Sequence, residues 1–253
     1  MVFLLLLFVN AWCGKLKWNW DRGARLELDR MQASLVSSVL VTLLLCSQST
    51  KVMAMESTKD LALFGGSEKW NADDWTSSDD TVRGGKSQSY LECSPANPVA
   101  RFYGNLDITT LGGAGFASQR TRKDVVWDLS EYKGIKLVVT KSDSKHYTFN
   151  VKDSLLPPDP DTGREQASVS YEYDFQIAEN TTVTKKGELF IPWESFNATY
   201  RGRVKEDAPP LNTTSIKQMS IMMRSFFGTQ DGAFSLSMES ISASSGKTVG
   251  CIE

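Results

Sequence analysis

The chain has one histidine, His146, and four scattered cysteines, Cys13, Cys46, Cys93 and Cys251, with no CxxC pair. Structural zinc sites and disulfide frameworks need clustered or denser ligands, so neither class is expected, and no metal or other cofactor is implied. A single histidine also removes most nucleophile–base chemistry, which needs an imidazole placed beside the attacking group. His146 alternates with Thr148, Asn150 and Lys152 on the polar face of a predicted strand, where it is expected to meet solvent. Excess charge of one sign is missing too: 28 basic residues stand against 30 acidic ones. Without a basic surplus, a nucleic-acid partner is not expected.

Long apolar runs are also absent. Residues 2–9 and 34–46 are apolar, but both fall short of the roughly 20 residues needed to cross a bilayer. Residues 1–55 are expected to be a hydrophobic leader or an over-extended N-terminus outside the core, and any membrane association is expected only through these runs. Residues 15–30 mix Lys15, Lys17, Arg22, Arg25 and Arg30 with Asp21, Glu27 and Asp29, an acidic content that suits a transit peptide poorly. Sequons at Asn180, Asn197 and Asn212 matter only in a secreted chain.

What is present has period two. In "ASVSYEYDFQI", Val169, Tyr171, Tyr173, Phe175 and Ile177 share one face, and Ser168, Ser170, Glu172, Asp174 and Gln176 the other. That alternation predicts a half-buried strand, central in a sheet, with Glu172 and Asp174 on a solvated surface. "IKLVVT" and "HYTFNVK" read as a hairpin across "KSDSK", with Ile135, Leu137, Val139, Tyr147, Phe149 and Val151 inward. Further strands are predicted at "SQSYLEC", "VARFYGNLDI", "GFASQRT", "GELFIPW", "IKQMSIMMRS" and "FSLSMESIS", and a short helix at "PWESF". Many short strands without βαβ alternation predict an all-β fold, an antiparallel sandwich or jelly roll, over residues 60–245, with 246–253 as a tail.

The motifs that resemble catalytic signatures each miss an element. "GKSQS" at 85–89 lacks the last glycine of a nucleophile elbow and precedes a strand rather than a helix. "LGGAGFAS" puts Ser118 where a dinucleotide loop needs its third glycine and reads as a tight turn. "SGKT" at 245–248 has Ile241 at the first P-loop glycine, and "DPDTG" at 159–163 has Ser170 at the bidentate position of a calcium loop. The acidic pairs Asp73/Asp74 and Asp79/Asp80 read as solvated loop charge. Trp70, Trp75, Trp127 and Trp193 could line a sugar groove but read first as core or rim packing. No catalytic set assembles.

The ordered pieces "WNADDWTSSDDTVRGGKSQSYLE", "ARFYGNLDITTLGGAGFASQRT", "WDLSEYKGIKLVV", "FIPWESFNATYRGR", "PPLNTTSIKQMSIMM" and "DGAFSLSMESI" span residues 62–243. Together they resemble the complex I intermediate-associated protein 30 family, assembly factors of mitochondrial NADH:ubiquinone oxidoreductase. The resemblance implies a galactose-binding-like β-sandwich and a chaperone-like, non-catalytic role, with complex I assembly intermediates as protein partners. It also implies a mitochondrial location, against which a cytosolic, secretory or membrane-anchored protein is the alternative. A carbohydrate-binding sandwich module is the competing function. The partner-binding candidates are Arg83, Lys86, Gln88, Trp193, Arg201, Arg203 and Arg224, chosen because arginine-bearing segments at strand ends can converge in space.

Overall fold

The computed structural model describes residues 60–94, 97–122, 125–163, 165–178 and 187–246, all within the unit Ser57–Glu253. The leader, Cys13, Cys46, Cys251, the Asn180 sequon and the tail from 247 lie outside the described residues. The strands are β1 (Leu61–Gly65), β2 (Trp75–Ser77), β3 (Gln88–Ser94), β4 (Asn97–Leu106), β5 (Phe116–Thr121), β6 (Gly134–Ser142) and β7 (His146–Lys152). They continue with β8 (Ser170–Gln176), β9 (Gly187–Pro192), β10 (Asn197–Tyr200), β11 (Arg203–Val204), β12 (Gln218–Arg224) and β13 (Gly232–Ser244).

Two antiparallel sheets form a sandwich. One runs β3-β4-β13-β6-β9, with β1 also pairing β13; the other runs β11-β10-β8-β7-β12-β5-β2. Inward residues of both meet in one core: Phe102, Leu137, Val139, Leu236 and Met238 from the first sheet, Tyr147, Phe149, Met219, Ile221 and Met223 from the second. Each such side chain contributes about 1.5–3 kcal/mol by leaving water. Phe102 meets Tyr147 edge-on across the sheets, with ring centroids 6.2 Å apart. All four tryptophans read from the sequence pack in or against this core.

The expected hairpin of residues 135–151 is corrected. β6 pairs β13 and β9, whereas β7 pairs β8 and β12, so the chain changes sheet between them. Asp143 holds this corner. Its Oδ1 accepts from Tyr147 Oη at 2.9 Å and from Lys145 N at 3.1 Å, and its Oδ2 accepts from Ser235 N of β13 at 2.8 Å. The inward set survives because both strands still face the same interior. Alternation marks a face but not a strand's partner.

The second correction concerns the outer face of the seven-stranded sheet. The strand β8 lies inside the sheet, flanked by β10 and β7, yet its polar face is not simply solvated. Glu172 is 8% exposed, and Thr148, Asn150, Thr199 and Gln218 on neighbouring strands are buried as well.

Candidate partner-binding site

Residues 79–89 build one wall of the site. β2 ends at Ser77 opposite Gln119, leaving the N–H groups of Ser118 and Phe116 at the start of β5 without strand partners on that side. Two carboxylates replace the missing strand. Asp79 accepts from Ser118 N at 2.9 Å, Ser89 N at 3.1 Å and Ser89 Oγ at 2.6 Å. Asp80, fully buried, accepts from Phe116 N at 3.1 Å, Ser87 N at 3.1 Å and Ser87 Oγ at 2.7 Å. The solvated-charge reading of this pair is therefore corrected: each carboxylate satisfies buried donors that would otherwise be orphaned. Burial pushes the Asp79 carboxyl above its usual range despite the opposing bonds from Ser89 and Ser118.

Glycine is required here twice. Gly84 ends the 3-10 turn Asp80–Arg83 at φ 82, and a Cβ on Gly85 would lie 2.2 Å from Asp80 Oδ1. The turn places Arg83 on the surface with its guanidinium carbon 5.4 Å from the Phe116 ring centroid.

A second wall is the hairpin β10–β11, in which Tyr200 pairs Arg203. Its two-residue turn, Arg201-Gly202, has φ of 53 and 74, so both central residues are left-handed as in a type I′ turn. Asn-Gly is the comfortable pair there. An arginine in that conformation is strained. The Arg201 guanidinium carbon stands 5.4 Å from the Tyr200 ring centroid.

The segment before β8 supplies the third wall. Arg120, on the outer face of β5, holds Glu165 by an ion pair of 3.1 Å. Val82, Arg83, Glu165, Ala167, Tyr200, Arg201 and Arg203 together line a pocket of about 730 Å³. Three guanidiniums thus face one carboxylate that Arg120 already neutralises, in a chain whose formal net charge is −2. No ion pair holds Arg83, Arg201 or Arg203 among the described residues.

A polar layer covers the outer face of the same sheet. Arg224 donates from Nη1 to Glu172 Oε2 at 2.8 Å and from Nη2 to both oxygens of Asp174 at 2.5–2.6 Å. Glu172 also accepts from Thr199 Oγ1 at 2.7 Å, and Asp174 from Thr148 Oγ1 at 2.6 Å. Lys152 is depressed by burial below the ordinary lysine value, against the pull of Glu165 and Glu172. Asn150 Oδ1 and Gln218 Nε2 are buried with no hydrogen-bond partner among the described residues.

The sequence candidates therefore separate. Arg83, Arg201 and Arg203 converge on the pocket. Lys86 and Gln88 are exposed but do not line it. Arg224 is taken up by the two acids of β8, and its guanidinium carbon lies 4.6 Å from the Phe226 ring centroid. Trp193 donates from Nε1 to Tyr132 O at 2.9 Å and packs on Phe196. Sequence reasoning missed Val82, Glu165, Ala167 and Tyr200. The Arg-Gly pair after a short apolar–polar alternation was the one signal of the hairpin that carries Tyr200.

A family model for complex I intermediate-associated protein 30 (CIA30) matches residues 63–238. An uncharacterized protein of Schizosaccharomyces pombe is 47% identical over 189 residues, spanning 72% of this chain and 83% of that one. Among solved structures, the family 11 carbohydrate-binding module of the cellulosomal cellulase Lic26A-Cel5E of Clostridium thermocellum aligns with a TM-score of 0.51 at 11% identity, over 76% of this chain and 98% of the module. That last likeness is one of fold. The family match covers the sandwich from β1 into β13, and the chain belongs to the complex I intermediate-associated protein 30 family.

Proposed function

We propose that the protein is a non-catalytic, chaperone-like assembly factor that binds a maturing intermediate of respiratory complex I in mitochondria. The observation that carries this reading is the family match across residues 63–238. The surface suits it: arginines with no ion pair among the described residues, beside the exposed Tyr200, have the composition of a protein-recognition patch. The test is affinity capture of the full chain tagged at its C-terminus, with imaging of the same cells. Co-purification of complex I subunits from mitochondria is the expected result; a secreted or cytosolic protein that recovers none of them refutes it.

A further inference from the structure

We propose that the pocket between Arg83, Arg201 and Arg203 binds an acidic peptide segment with interspersed apolar residues, presented by a protein partner. The inference rests on the protein-binding reading above and names the chemistry of what is bound.

Three observations support it. The first is charge: the three guanidiniums lack carboxylate partners among the described residues, and the carboxylate in the pocket is committed to Arg120. A planar guanidinium matches a carboxylate bidentately, so unpaired arginines around one concavity select for acidic side chains.

The second is apolar exposure. Val82 is 68% exposed, Val204 73% and Tyr200 40%; two of them line the pocket and the third adjoins Arg203. A purely ionic ligand has no use for these side chains. A peptide that alternates acid and hydrophobe does.

The third is strain. Arg201 occupies the left-handed region at φ 53 while Gly202 beside it, at φ 74, needs no help from a side chain. Glycine or asparagine would relieve the turn, so folding does not explain an arginine at its tip.

The experiment measures anisotropy of a short fluorescein-labelled peptide of glutamate interspersed with leucine, titrated with the full chain. Its lysine counterpart, inorganic phosphate, and phosphatidylcholine vesicles containing phosphatidylserine are the comparison probes. Saturable binding of the acidic peptide that weakens with salt is expected. The double variant Arg83→Glu/Arg203→Glu should lose at least about tenfold in affinity, taking a few-fold for each exposed pair and the added repulsion. Arg201→Gly should bind more weakly while melting at the same temperature or higher, an outcome no structural role for Arg201 would produce. Absence of binding, unchanged affinity in both variants, or preference for vesicles or phosphate over the peptide overturns the proposal. Failure of the peptide with intact co-purification of complex I subunits refutes this inference alone. Loss of that co-purification with peptide binding retained refutes the assembly reading and leaves the pocket assignment standing.

Discussion

Removing the Glu172 carboxylate tests the account of the outer sheet face most directly. Read as a strand's solvent side, the position should tolerate alanine at a cost of about 0.5 kcal/mol or less. The structure gives a different magnitude. Glu172 is buried, its side chain 9% exposed against 23% for Arg224, and it accepts from Thr199 Oγ1 and Arg224 Nη1. Glu172→Ala leaves the Thr199 hydroxyl with only Ser170 O, at 3.3 Å, as acceptor and Arg224 with Asp174 as its one carboxylate. Breaking a fully buried pair from one side costs about 3–5 kcal/mol. Partial exposure of Arg224 and its remaining bonds to Asp174 reduce this to about 2–3 kcal/mol. For a domain of this size each kcal/mol shifts the midpoint by about 2–4 °C, so a fall of roughly 4–12 °C is expected by calorimetry. Glu172→Gln should fall in between, because the amide oxygen can still accept from Thr199. Glu172→Ala combined with Arg224→Met should cost less than the sum of the two single changes, since each alone strands the other's charge. A Glu172→Ala midpoint within 1 °C of the parent, as an order-of-magnitude bound from the same scaling, would refute the reasoning and restore a solvated face.

Three other perturbations have defined outcomes. Asp80→Ala orphans Phe116 N and Ser87 N and leaves the Ser87 hydroxyl only the longer bond to Asp107 O, so it should cost about 3 kcal/mol or more by urea unfolding; Gly85→Ala, which drives a Cβ against the same carboxylate, should also destabilise. Lys152 has a folded pKa below its unfolded value, so between the two the unfolded chain holds more protons and stability rises with pH as that window is crossed from below. Thermal melts at stepped alkaline pH should show this rise in the parent and a flatter curve in Lys152→Met, and parallel curves would sink the assignment. A chain beginning at Met55 should unfold cooperatively with a midpoint near that of the full chain, because the sandwich core is supplied from Phe64 onward; insoluble or non-cooperative material would show that the leader is needed for folding.

Period-two alternation by itself determined the sandwich, because a side chain's face depends only on its place in a pleated strand. Ile135, Leu137, Val139, Tyr147, Phe149 and Val151 were all legible as core from that rule, and all are buried. The ordered motifs likewise carried the family. β10 and β11, at four and two residues, were too short to show a period. Partnership was decided only in three dimensions. Whether β7 pairs the strand before it depends on Asp143 reaching Ser235, some 90 residues along the chain, and no local pattern encodes that. The same holds for charge. Asp79, Asp80, Glu172 and Asp174 look alike in sequence to any solvated acid, and only their placement opposite unpaired donors or Arg224 made them structural. Arg83 and Arg201 lie far apart in the chain, and sequence could propose their meeting but not place them. The pocket exists because carboxylates fix the first turn against β5 and a left-handed Arg-Gly pair closes the hairpin that carries the second. Short-range periodicity is set by backbone geometry, whereas the pairing of distant polar groups is set by which donors the fold leaves unsatisfied.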